Sequence, residues 1–216
     1  MAIQLQGFNG VVPEVESANR ALRVTHRPLD YGALGIYSMS TVSGIMAAGL
    51  GAGSVVYSFR WTHATNLCLL RSVRFGAGGI GLFSAGIVNI EAVIARSFTA
   101  FHTGGTAATL SSNQQKRRTT MATTSLGEAR IASTAALAGG TLTLDSQGIG
   151  NLVGSVTAVA GTTLVAPGSE LVPDDRDGRH PVVLTQNEGF VIRATVPATG
   201  TWTFGVSVDW EEAVSF

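Results

Sequence analysis

Cysteine is almost missing from this chain. Cys68 stands alone in 216 residues, so no disulfide can form within it. Lysine is as scarce: Lys116 is the single lysine beside thirteen arginines. Charged residues make up only 13% of the sequence, about half the ~25% usual for soluble domains. Net charge is zero, and the clustered cations that hold nucleic acid are not there. Arginine kept while lysine is lost fits a surface partly covered by other protein. Long apolar runs are also absent. The most apolar stretch, 80–95, is too short to span a bilayer and contains Glu91. The opening MAIQLQGFNG has neither a basic nor an apolar leader region, so no secretory signal is expected. These absences together predict a soluble protein made in a reducing cytosol, with no nucleic-acid or membrane partner.

Aromatics are missing from the middle. Ten of the fifteen lie between Phe8 and Phe101 and five between Phe190 and Phe216, with none between those blocks. Within the blocks they alternate. Trp202, Phe204, Val206, Val208 and Trp210 occupy every second position, and Phe190, Ile192, Ala194 and Val196 do the same upstream. Such spacing gives a strand one apolar and one wet face. Pro197-Ala198-Thr199-Gly200 between the two runs predicts a hairpin loop. A second hairpin is predicted from Val55, Tyr57, Phe59 and Trp61, the loop THATN (62–66), and Leu67, Leu69, Val73 and Phe75. A glycine turn is expected at 76–81, then a strand through Val88, Ile90, Ala92, Ile94 and Phe98. An isolated ribbon cannot bury such a face, so the two aromatic blocks are predicted to meet in one core.

The remaining segments carry weaker signals. Residues 32–53 are small and apolar; a helix is possible there, against the glycines. Segment 102–179, rich in Thr, Ala, Gly and Ser, is either a linker or a set of thin strands at 142–144, 152–158 and 163–165; the β-branched content favours strands. SLGE (125–128) has the capping-box pattern, but its surroundings favour a strand over 129–137. The expected fold is all-β: a jelly-roll-like β-sandwich over 31–216, preceded by an extended arm at 1–30 with a strand near 21–25.

Reactive constellations are few. GAGGIG (76–81) matches a dinucleotide fingerprint, but no acid follows between Glu91 and Glu128, and the motif needs a helix and an acid downstream. His26, His63, His102 and His180 are scattered, without HxH or HExxH, so loop histidines are expected in place of a metal centre. DDRDG (174–178) fails the EF-hand spacing and reads as a polar turn. QQKRR (114–118) is the one basic cluster, a solvated loop tip or an anion contact. No G-x-S-x-G or S-x-x-K occurs. Cys68 between Leu67 and Leu69 reads as a core thiol, and Glu211–Glu212 as a polar strand exit. No catalytic residue, cofactor site or metal site is therefore assigned.

The block HPVVLTQNEGFVIRATVPATGTWTFGVSVDWEE (180–212), with RALRVTHRPLDYGALGIYSMS (20–40), resembles a family of small virion-associated structural proteins of tailed bacteriophages. The resemblance implies a capsid decoration, or cement, protein with a jelly-roll-like fold, assembled in the host bacterial cytoplasm. It implies the major capsid protein as partner, placement on the outside of the head, and a homo-oligomer, a trimer before a dimer. It implies no enzyme activity. A head-fibre, tail-fibre or baseplate adhesin is the alternative, and would present aromatic side chains in exposed loops. Phe8, Val11 and Val12 in the arm and Ile36, Ile45, Met46 and Leu50 in the small apolar stretch are the candidate interface residues. The competing role for the latter four is completion of the core.

Overall fold

The computed structural model describes residues 15–16, 21–22, 34–108, 116–117, 122–124, 127–158, 161, 163–173 and 181–214. Two compact units divide the chain, Met1–Asp30 and Tyr31–Phe216. In the first, β1 (Val15–Glu16) pairs antiparallel with β2 (Ala21–Leu22).

The second unit is an all-β sandwich; no described residue is helical. Its strands are β3 (Gly35–Val42), β4 (Met46–Ala47), β5 (Ser54–Arg60), β6 (Leu67–Gly79), β7 (Gly86–Ala100), β8 (Thr106–Ala107), β9 (Glu128–Ile131), β10 (Thr141–Leu144), β11 (Gly150–Val156), β12 (Thr163–Val172), β13 (Val182–Leu184), β14 (Gly189–Thr195) and β15 (Thr201–Ala213). Sheet one runs β10-β7-β14-β5-β9-β8, with β11 also on β7. Sheet two runs β12-β6-β15-β3, with β13 also on β6 and β4 on β15. Every pairing is antiparallel. Three long strands each carry two short ones laid end to end along one side. β7 holds β10 at 95–100 and β11 at 86–92; β6 holds β12 at 73–78 and β13 at 68–70; β15 holds β3 at 205–212 and β4 at 201–202.

The alternation read in the sequence is the alternation of the sheets, and the two aromatic blocks do meet. Trp61, Trp202 and Trp210 are fully buried. Phe59 stacks on its sheet-one neighbour Phe190 at 5.1 Å and meets Trp210 of sheet two edge-on at 5.7 Å. Tyr37–Trp210 and Phe75–Phe204 stack within sheet two at 5.6 and 5.4 Å. Offset and edge-on aromatic pairs of this kind add about 0.5–1.5 kcal/mol beyond the area they bury.

Both predicted hairpins are corrected. β5 lies in sheet one and β6 in sheet two; β14 lies in sheet one and β15 in sheet two. Each loop is an arch that carries the chain across the core. A hairpin would put both aromatic faces on one sheet and leave them needing a cover, whereas an arch stacks them against each other. At the first arch the Trp61 indole donates to the Asn66 carbonyl at 2.6 Å, and His63 Nδ1 accepts from the Asn66 amide at 2.9 Å. At the second, Gly200 takes the left-handed conformation (φ 110°). The glycine turn expected at 76–81 is likewise strand up to Gly79, paired on both sides at Gly78 with Thr163 and Thr203. Segment 32–53 contributes β3 and β4, not a helix, and the thin middle segment contributes β8 to β12. Glu128 of the capping-box pattern opens β9.

The two sheets close on each other at both sides. Along β11 and β12 the backbones approach so nearly that a Cβ on Gly150 would fall on the Leu171 carbonyl oxygen. On the other side the Ala47 amide donates to the Thr134 carbonyl at 3.0 Å.

Candidate interaction surface

The acidic groups of β15 are turned to internal use. The register shift beside Trp210 leaves Asp209 opposite Ser72 on one neighbour and Ser38 on the other. Its carboxylate accepts from Ser38 Oγ, from Ser72 Oγ at 2.8 Å, and from Arg74 Nη2 and Arg117 Nη2, each at 2.7 Å. Burial pushes this carboxyl upward, but the bonds from Ser38 and Ser72 and the Arg117 guanidinium outweigh it and hold it below the usual range. Part of the basic cluster at 114–118 is thereby accounted for: Arg117 grips Asp209, and Lys116 bridges to Tyr37. Glu211 and Glu212 are not a solvated strand exit. β15 stays between β6 and β3 through Glu212, and both side chains are buried. Glu212 accepts from Thr124 Oγ1 at 2.6 Å and from the Trp210 indole at 3.3 Å, while Arg71 approaches Glu211 at 3.5 Å.

Other titratable groups are similarly enclosed. Cys68 is a core thiol whose pKa burial pushes up. His102 Nδ1 lies 3.0 Å from Ser58 Oγ, and both residues are buried. Burial and the Arg130 guanidinium lower the His102 pKa. A Ser–His contact is half of a nucleophile relay; this one is buried, with Phe98 and Phe101 edge-on to the imidazole. His63 shapes its arch; His26, His180 and the DDRDG turn lie outside the described residues. On the outer face of sheet one, Arg193 pairs with Glu91 at 2.5 Å, and Glu91 Oε1 also accepts from the Gly148 amide at 3.0 Å. Among the described residues no group of three His, Cys, Asp or Glu is placed to hold a metal, and no helix is long and apolar enough to cross a membrane.

One end of the sandwich has a different character. Three loops meet there, at 43–53, 80–86 and 197–200, and not one of their residues is charged. They are tied by backbone bonds: Ala48 to the Gly200 carbonyl at 3.1 Å, Gly49 to Pro197 at 2.7 Å, and Ile80 to Thr201 at 2.7 Å. Ile45, Ile80 and Leu82 project from them, with Leu82 59% exposed, and Val42 and Ile87 stand exposed at the adjoining strand ends. Scattered aliphatic exposure is ordinary, whereas an exposed apolar cluster marks a contact surface.

The candidate interface residues are divided by the structure. Ile45 belongs to this end and is 60% exposed, but Met46 is fully buried in the core and Leu50 packs against it half-buried. Ile36 is half-buried in β3, and Phe8, Val11 and Val12 lie outside the described residues. Sequence reasoning missed Ile80, Leu82 and Ile87. The available signal was the lack of charge in all three loops, which gained meaning only once the fold brought them together.

No family model matches this chain, and neither do any of the curated proteins or solved structures with which it was compared.

Proposed function

We propose that this chain is a non-enzymatic structural protein of a phage virion, a decoration protein that sits on the outside of the head and grips the major capsid protein lattice. The observation that carries the reading is the charge-free loop end. Desolvating it against a partner strands no ion, and its outward aliphatic side chains supply apolar area at about 25 cal/mol per Å². The acids and arginines that chemistry would need are held in internal ties such as the Asp209 clamp.

The jelly-roll form of the sandwich is part of the proposal, and strand order supports it. Taking β3/β4, β5, β6, β7, β10/β11, β12/β13, β14 and β15 as eight successive positions, sheet two carries the sixth, third, eighth and first. Sheet one carries the fifth, fourth, seventh and second, with β9 and β8 added beyond β5. That is the order of two nested Greek keys. Such a body presents its connecting loops at its two ends. In a trimer, three loop ends engage neighbouring capsid subunits, and each later contact is effectively intramolecular. The adhesin alternative requires exposed aromatics; the exposed large apolar side chains among the described residues are aliphatic.

The test is co-sedimentation of the purified protein with expanded, undecorated heads, alongside its mass by ultracentrifugation. Saturable pelleting is expected, and it should be lost in an Ile45→Glu/Leu82→Glu variant whose melting curve is unchanged. Failure of the wild-type protein to pellet, or pelleting indifferent to these substitutions, overturns the reading.

A further inference from the structure

Strand direction sorts the connections of the sandwich to two ends. β3, β6 and β14 run into the charge-free end, and β5, β7 and β15 run away from it. The far end therefore collects the arch at 62–66, the turn at 185–188, the start of β3 and the close of β15. They are held together by backbone bonds. The Trp61 amide donates to the Glu188 carbonyl at 2.8 Å and the Asn187 amide to the Trp61 carbonyl at 2.7 Å. The Leu34 amide donates to the Glu212 carbonyl at 3.0 Å. β15 runs the length of the body with 13 residues, which sets the two ends on the order of 40 Å apart.

The surfaces of the body differ in what docking would desolvate. Both broad faces carry ions. The Arg193–Glu91 pair stands on sheet one, and on sheet two the Arg74 and Arg117 side chains remain 42% and 47% exposed. Laying either face on a partner would take these groups out of water, which is unfavourable unless each is fully paired again. The far end is polar: Thr65, Thr185, Gln186 and Asn187 are exposed there, and Glu188 adds a charge. Of the exposed large apolar side chains among the described residues, Val214 alone lies at that end. The charge-free end, with Ile45, Ile80 and Leu82, has apolar area and no ion to desolvate.

We infer that the protein stands end-on, its charge-free end seated on an uncharged, apolar patch of the capsid lattice, with 62–66 and 185–188 turned outward. The inference rests on the capsid reading and adds to it the orientation of the body and the chemistry of the patch. A charged patch would lose its water against loops that hold no ion to pair with it, so the lattice surface beneath is apolar as well. Such a contact draws little on Coulombic attraction and is not screened by salt.

The test uses full-length Ala85→Cys and Gln186→Cys, both at exposed positions, one at each end. Cys68 is buried and does not compete for label. Maleimide labelling is timed on the free variants and on the same variants bound to expanded heads. Bound Ala85→Cys should react at least about tenfold more slowly than free, because the lattice covers its thiol. Gln186→Cys should react equally in both states. Wild-type affinity for heads should hold within about threefold between about 0.05 and 1 M sodium chloride. Equal labelling of free and bound Ala85→Cys, slowed labelling of bound Gln186→Cys, or an affinity that falls about tenfold over that salt range overturns the orientation alone. Failure of the wild-type protein to pellet with heads overturns the capsid reading, and this inference with it.

Discussion

Asp209 shows how one side chain ties separate parts of the chain together: its partners come from β3, β6 and the segment at 117. Asp209→Asn should cost about 2 kcal/mol at neutral pH, the scale of hydrogen bonds to a charged group, measured by urea unfolding. Because the folded carboxyl titrates below its unfolded value near 3.9, its contribution is complete above that value and disappears as pH falls through the folded one. The Asn variant should therefore lose less stability than wild type on acidification below about pH 4. His102 has the opposite logic. Burial and Arg130 disfavour its charged form, so the unfolded chain takes up the proton first. Stability should decline as pH drops below about 6.5, and His102→Gln should flatten that decline in the same unfolding measurement. Neither role was legible in the sequence. Alternation with Val208 and Trp210 puts Asp209 on the face turned from the core, but its partners are fixed by register across strands far apart in the chain.

At the scale of elements, period and composition located the aromatic strands well, because alternation survives wherever a strand has one face on the core. They could not tell an arch from a hairpin. Both have the same alternation and the same Pro-Gly or polar loop, and they differ only in which sheet receives the second strand. Glycine runs misled for a related reason. The 76–79 stretch has the residues of a turn, but partners on both sides hold it extended. The glycines are not equivalent, and this is measurable. Gly150→Ala should destabilise by about 1–3 kcal/mol, the usual cost of overpacking, because its new methyl meets the Leu171 carbonyl where β11 lies against β12. Equal stability of Gly150→Ala and wild type in thermal melts would mean that this side of the sandwich is looser than described.

For the whole molecule, an all-β sandwich was readable from strand count, turn spacing and the need to cover two apolar faces. The charge-free end was half readable. Its residues were visible as three uncharged stretches, but their convergence depends on the β3–β5, β6–β7 and β14–β15 connections all crossing between the sheets at the same end. The end-to-end strands have a further consequence. Opposite each break between short strands, the long partner runs on unbroken, so the frame does not depend on what spans the gap. Ser146 and Gln147, exposed between β10 and β11 and bridged by continuous β7, lie at such a break. A flexible epitope of about ten residues spliced between them should leave the melting temperature within a few degrees, since added loop length costs little closure entropy. The sandwich would then carry foreign cargo at that break, which makes this fold a carrier for display.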